Sequence, residues 1–311
     1  MIENLYRIKV NEVYGYINGK GQVVIEPIYQ DAFDFKDGLA YVKTKDRKEG
    51  YINEKNQMII NFEDKLNYRS NFCNGLAIIG INKKYGCIDK SGNYIISLKY
   101  DRILGINSNG TIIVKQGGKV GLIDSKEEFI VEPVYDYLST FSEGLAVASN
   151  DGKSGYIDEG GNKVIDLQFK EAAAFSEGLA VVSDDGTIGV IDKYGNWRFK
   201  TKYIQLFDFS EGLAAFRKES GGKWGYIDTE GKEVIKAKFE SVQNFCEEFA
   251  AVENSNKYGY INKTGKYILK NVFWTADSFF NGLACVTYKG EWGYINCHGE
   301  WIYKPKGFDL W

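Results

Sequence analysis

A five-residue pattern recurs nine times along the chain: an aromatic or other residue, Gly, a Tyr-type residue, Ile, then Asp or Asn. It reads Tyr14-Gly15-Tyr16-Ile17-Asn18, Gly50-Tyr51-Ile52-Asn53, Tyr85-Gly86-Cys87-Ile88-Asp89 and Val120-Gly121-Leu122-Ile123-Asp124 in the first part of the chain. Gly155-Tyr156-Ile157-Asp158, Gly189-Val190-Ile191-Asp192, Trp224-Gly225-Tyr226-Ile227-Asp228, Tyr258-Gly259-Tyr260-Ile261-Asn262 and Trp292-Gly293-Tyr294-Ile295-Asn296 follow. Successive glycines lie 35, 36, 35, 34, 34, 36, 34 and 34 residues apart. A period held this closely implies one supersecondary unit per copy, each burying its apolar faces only against its neighbours. A second pattern, Phe-x-x-Gly-Leu-Ala, runs in phase at Phe35 to Ala40, Phe72 to Ala77, Phe141 to Ala146, Phe175 to Ala180, Phe209 to Ala214 and Phe279 to Ala284. Two copies are degraded, at Asn109-Gly110-Thr111-Ile112 and Phe245-Cys246-Glu247-Glu248-Phe249-Ala250.

The unit from Gly144 to Phe175 shows what each copy builds. Leu145-Ala146-Val147-Ala148 is a short continuous apolar run, as a strand buried on both faces requires. Asn150-Asp151-Gly152 marks a turn, Gly155-Tyr156-Ile157-Asp158 a second strand, Glu159-Gly160-Gly161-Asn162 a tight turn, and Lys163-Val164-Ile165 a third strand. Phe169 to Phe175 supplies a fourth short strand or bend, and Ser176-Glu177-Gly178 turns the chain into the next unit. The reading is all-β: one domain over 1–311, with units at about 1–35, 36–72, 73–107, 108–141, 142–175, 176–209, 210–245, 246–279 and 280–311. The Leu-Ala strand is expected innermost and the Tyr-rich strand further out.

Stacked meanders of this kind form either a closed β-propeller-like ring or an open β-superhelix. Nine units exceed the usual 4–8 blades of a ring, but an open array needs polar caps. The chain starts with the strand-like Leu5-Tyr6-Arg7-Ile8-Lys9-Val10 and ends on the aromatic segment Tyr303 to Trp311. An exposed aromatic edge invites aggregation, and pairing of these two segments would remove it. The propeller-like ring is therefore the preferred expectation.

Composition narrows the function. The formal net charge is −3 and the 39 Lys and Arg residues are scattered, so the basic stripe of a nucleic-acid binder is missing. No apolar run approaches the ~20 residues of a membrane helix, and residues 1–10 do not read as a secretory signal. The five cysteines, Cys73, Cys87, Cys246, Cys285 and Cys297, form no CxxC pair and read as free buried thiols of a reducing cytoplasm.

Trp224-Gly225-Tyr226-Ile227-Asp228, then Gly231-Lys232 and Val234-Ile235, together with the Phe-Ser-Glu-Gly-Leu-Ala segments, resemble the bacterial WG (KWG) repeat over essentially the whole chain. The name-giving Trp stands only at Trp224 and Trp292, with Tyr, Val, Ile or Ser in other copies. The resemblance implies a binding or sensing module and prescribes no catalytic residue, cofactor or metal.

The residues agree with that absence of chemistry. The one histidine, His298, falls in a turn slot beside Cys297, with no acid marked as a third partner. Gly152-Lys153-Ser154 imitates the tail of a phosphate loop but has Val147 where the loop needs its first Gly. The nine Asp or Asn residues that close the signature strand lack calcium-loop spacing and read as caps on the following turn, where only a side-chain oxygen is needed. Candidate binding residues are those by which copies differ: Trp197 and Trp301 in a slot held elsewhere by Tyr, Phe or Val, Trp274, and Arg217 in a lengthened hairpin matched by Arg47-Lys48. Aromatic and Arg side chains are the usual anchors of binding surfaces. The function expected is a non-catalytic scaffold for protein or peptide binding. A carbohydrate- or cell-wall-binding array is the alternative, and a hydrolase or lyase on a propeller scaffold comes third.

Overall fold

The computed structural model describes residues 4–304 and is all-β, with nine antiparallel sheets in chain order. The blades are of the β-propeller type, as the repeat implied. Two compact units are present, Met1–Phe141 and Ser142–Trp311. Beyond Lys304, the aromatic segment expected to complete the sheet begun near Leu5 lies outside the described residues. That first sheet contains three strands, Tyr6–Val10, Val13–Ile17 and Val23–Tyr29.

A representative four-stranded sheet consists of Glu171–Ala172, Leu179–Asp184, Thr187–Asp192 and Trp197–Thr201, hydrogen-bonded in that order. The second strand is buried along Leu179, Ala180, Val181 and Val182. Leu179 and Val181 pack forward into a cluster with Leu206, Phe209, Ala214 and Phe216 of the next sheet. Ala180 and Val182 pack backward against Leu145, Val147, Tyr156 and Phe169 of the preceding one. Each Leu-Ala strand thus contributes to two interfaces, which is why its apolar run does not alternate.

The fourth short strand exists, but in a different place from the one the sequence suggests. Glu171–Ala172 pairs with Leu179–Asp184, through Glu171↔Ser183 and Ala172↔Val182. It therefore opens the following sheet, and Ser176-Glu177-Gly178 turns the chain within a sheet. The Leu-Ala strand is accordingly not an edge strand but lies between the short strand and the signature strand. A two-residue element is too brief to leave an alternating pattern in the sequence.

The turns explain the polar half of the repeat. Ser142 and Leu145 exchange backbone hydrogen bonds across Glu143 (φ 54°) and Gly144 (φ 84°), a two-residue turn with both residues left-handed. The side chains of this turn reach the next one. Ser142, Ser176 and Ser210 Oγ donate to the carbonyls of Phe175, Phe209 and Phe245 at 2.6, 2.7 and 2.7 Å. Carboxylates of Asp37, Glu143, Glu177 and Glu247 accept from the backbone N–H of Gly75, Gly178, Gly212 and Gly282 at 2.8–3.0 Å. A Phe-Ser-Glu-Gly segment is therefore a turn and a clamp on its successor.

The signature glycine is required by contact. A Cβ on Gly155 would lie 2.4 Å from the carbonyl oxygens of both Ile165 and Asp166. The third strand, Lys163–Phe169, crosses there with register shifts on both sides of Tyr156. Gly15, Gly86, Gly121, Gly225 and Gly259 meet third-strand carbonyls at 2.4–2.6 Å in the same way. The signature tyrosines lock neighbours together: Tyr16, Tyr156, Tyr226 and Tyr260 hydroxyls donate to the carbonyls of Phe33, Ala173, Gln243 and Asp277 at 2.7–2.8 Å. Burial drives these phenols far above the ordinary tyrosine range.

Candidate functional site

All nine signature Asp or Asn residues cap the following turn. Each side-chain oxygen accepts from the backbone N–H two residues on, at 2.8–3.1 Å: Asn18, Asn53, Asp89, Asp124, Asp158, Asp192, Asp228, Asn262 and Asn296. Each also accepts from the N–H four residues on, as Asp158 does from Asn162 at 2.8 Å. Hydrogen bonds from Asn93 and Asn162 hold the Asp89 and Asp158 carboxyls below the ordinary range. Among the described residues no group of three or more His, Cys, Asp and Glu side chains could hold a metal ion. His298 is exposed, and its own N–H reaches Asn296 Oδ1 at 3.0 Å, as a turn residue. Cys297 Sγ lies 3.6 Å from its Nδ1, so the two neighbouring side chains face each other. The cysteines are free, but only Cys87 is buried and Cys73 is exposed.

With the recurring residues committed to packing and turns, copies differ at the short-strand edge of the junctions between consecutive sheets, as within 31–69 and 171–206. In the 31–69 junction the group comprises Asp31, Phe33, Tyr41, Lys43 and Glu49 of one sheet and Arg69 of the next. The register pairs Asp31 with Lys43 and Lys43 with Glu49. Glu49 occupies the slot of the name-giving Trp, a replacement the sequence reading overlooked because only the Gly-Tyr-Ile-Asn half of that copy matched. Lys43 Nζ lies 2.7 Å from Glu49 Oε1, and the Glu49 carboxyl is held below the ordinary range against the cost of its burial by this bond. The Arg69 guanidinium crosses the junction. It stands 4.5 Å from the Tyr41 ring centroid and 5.7 Å from that of Phe33, and pairs with Asp31 Oδ2 at 2.9 Å. Arg69 Nε is buried without a hydrogen-bond partner, and the Tyr41 hydroxyl also helps to hold the Glu49 carboxyl down.

The register places Glu171, Ala173, Val181, Ser183, Ile188 and Leu206 in the same slots of the 171–206 junction. Backbone hydrogen bonds confirm the match, since Phe33 and Ala173 donate to Tyr41 and Val181 carbonyls alike, both at 2.9 Å. Small and aliphatic residues leave a pocket of ≈ 380 Å³ here, lined by all six together with Ile204 and Phe207. Ile204 and Phe207 are exposed apolar residues on its wall, 44% and 39% accessible. The signal in the sequence is Ala173 within the run Ala172-Ala173-Ala174, in a slot that holds Phe33 and Phe207 in other copies.

The candidate anchors do not converge. Arg217 sits in the next such group, its guanidinium 5.0 Å from the Trp224 ring centroid, with its Nε and the Oε1 of the facing Gln205 both buried and unpartnered. Trp197 and Trp301 are half-buried and cover the signature glycines of their own sheets. A Cβ on Gly189 or Gly293 would meet their rings at 2.5 and 2.8 Å. Trp301 also lines a second pocket of ≈ 290 Å³ with Leu269, Phe273, Tyr288 and His298. Trp274 is half exposed, with Lys257 Nζ 4.7 Å from its ring centroid. Other copies fill its slot with Gln30, Lys170, Ile204 and Glu240, which donate the equivalent backbone hydrogen bond.

Comparison with known proteins agrees with this anatomy. The chain is similar in fold to a crystal structure of the eukaryotic initiation factor, with a TM-score of 0.68 at 9% identity, over 98% of this chain and 100% of that one. BamB from Moraxella catarrhalis aligns over 99% of this chain and 98% of its own, at 12% identity and a TM-score of 0.47. At these identities the first likeness is one of fold, and the second carries no argument. No curated protein matches the chain in sequence. The model of the WG containing repeat matches residues 14–48, 85–119, 121–153, 155–187, 188–223, 224–258 and 258–292. These segments make up well over half of the chain, which therefore belongs to the WG-repeat family.

Proposed function

We propose that this protein is a non-catalytic repeat scaffold that binds a protein or peptide partner, working in a reducing cytoplasm. The observation that carries the reading is the division of labour between recurring and varying residues. Signature Gly, Tyr and Asp/Asn residues hold strands, neighbours and turns, whereas residues that vary between copies line the 31–69 and 171–206 junctions. One junction is open as a ≈ 380 Å³ pocket with an apolar floor and a few polar groups at its mouth, in the size range of a specific side-chain or small-ligand site. Such a surface selects by shape and charge.

The test is selection of a random displayed peptide library on the full chain, followed by retesting of enriched peptides on Ala173→Phe. Phe occupies this slot naturally at Phe33 and Phe207, so the variant fills the pocket with a residue the repeat accommodates. Enrichment of peptides whose binding falls at least ~10-fold in Ala173→Phe is the expected result. Failure to enrich, or binding indifferent to Ala173→Phe, refutes the reading.

A further inference from the structure

We infer that the 171–206 pocket receives an arginine side chain of the partner. This rests on the proposed binding role and names the chemistry that the pocket selects. The template is inside the molecule. In the 31–69 junction a guanidinium fills this location, against two aromatic rings and a carboxylate 2.9 Å away. In the 171–206 junction the carboxylate is retained, as Glu171 for Asp31, but Leu206 replaces Arg69. The rings that flank Arg69 are also gone, replaced by Ala173 and Val181, and the space they leave is the pocket.

Charge points the same way. Among the described residues Glu171, Asp184 and Asp185 form no ion pair, although many other acidic side chains of the fold do. Glu171 lines the pocket, and Asp184-Asp185 follows Ser183 in the hairpin beside it. The lining therefore holds one carboxylate, Glu171, and no cationic side chain, while Val181, Ile188, Ile204 and Phe207 make its walls apolar. A long aliphatic stem ending in a planar cation matches both halves, with its methylenes against the walls and its N–H fork on the Glu171 carboxylate.

The probe is N-acetyl-arginine methylamide, compared with its neutral near-isostere N-acetyl-citrulline methylamide. Binding is followed by NMR on the Ala172 and Ala173 methyls and the Ile188 δ-methyl of the full chain. Arginine is expected to shift these signals saturably at low salt and to bind at least ~5-fold more tightly than citrulline. Glu171→Gln, at an exposed position, should abolish that preference, and Ala173→Phe should abolish binding. Leu206→Arg supplies the cation in cis and should occupy the pocket as Arg69 does. No shift with arginine, equal binding of the two probes, or a preference that survives Glu171→Gln overturns the inference. The peptide selection decides the wider binding role separately, because enriched peptides lacking arginine but blocked by Ala173→Phe would uphold it.

Discussion

Asp158 bonds two turn amides with one oxygen and the Asn162 amide besides. Four of its eight counterparts are Asn, so the work is done by an acceptor oxygen. Asp158→Asn should therefore leave thermal stability nearly unchanged, whereas Asp158→Ala should cost about 1 kcal/mol through lost turn hydrogen bonds. A melting experiment on the two variants checks this, and equal losses in both would make the charge the operative feature. These caps could be read from the sequence because they are local: an oxygen serving amides two and four residues ahead leaves its mark within one turn. Glu49 shows the opposite case. Its partner Lys43 is near in sequence, but its neighbour Arg69 lies in another sheet, and no local pattern announces that approach.

At the scale of the element, the Phe-Ser-Glu-Gly turn accepts an unfavourable backbone in exchange for a contact with the next copy. Glu177 has φ 56°, a region costly for a residue with a side chain, and its carboxylate holds the Gly212 N–H at 2.9 Å. Removing the carboxylate keeps the strain and loses the clamp. Glu177→Ala is expected to lower the urea midpoint by the equivalent of about 1 kcal/mol, and Glu177→Gln, which keeps an acceptor, by less than about 0.5 kcal/mol. A larger loss in Gln than in Ala would refute the clamp. The Leu-Ala strand and the tight turns were legible because composition and glycine placement encode them directly. The short strand was legible as an element but not in its partnership, because pairing of two residues is decided by the chain that follows. The 171–206 pocket left only three consecutive alanines as its trace, since a cavity is defined by side chains that are missing.

Across the whole molecule the periodic carboxylates act together. Asp89, Asp158 and Asp192 at the caps and Glu143 at a clamp are all held below their ordinary range, Asp89 and Asp158 chiefly by hydrogen bonds and Asp192 and Glu143 by hydrogen bonds that outweigh burial. A folded-state value below the unfolded one contributes stability that is complete above the unfolded carboxylate range and is lost as pH falls through the folded value. Stability should thus be flat from neutrality to about pH 5 and decline below about pH 4. Combining Asp89→Asn, Asp158→Asn and Asp192→Asn should make that decline shallower in melts recorded across pH. An unchanged slope would place acid sensitivity elsewhere.

The clamp from each turn to its successor also bears on how such a chain changes length. Turn and receiver are 33 to 35 residues apart at Ser142–Phe175, Ser176–Phe209 and Ser210–Phe245, and both ends of every bond are made of the same residue types. Deleting the period between Ser142 and Ser176, or that between Ser176 and Ser210, joins a donor to an acceptor of the same kind. A deletion of any other size orphans a left-handed glutamate on one side and a turn amide on the other. A change of length that keeps this clamp is therefore one whole period, exchanged between copies that carry the Ser turn.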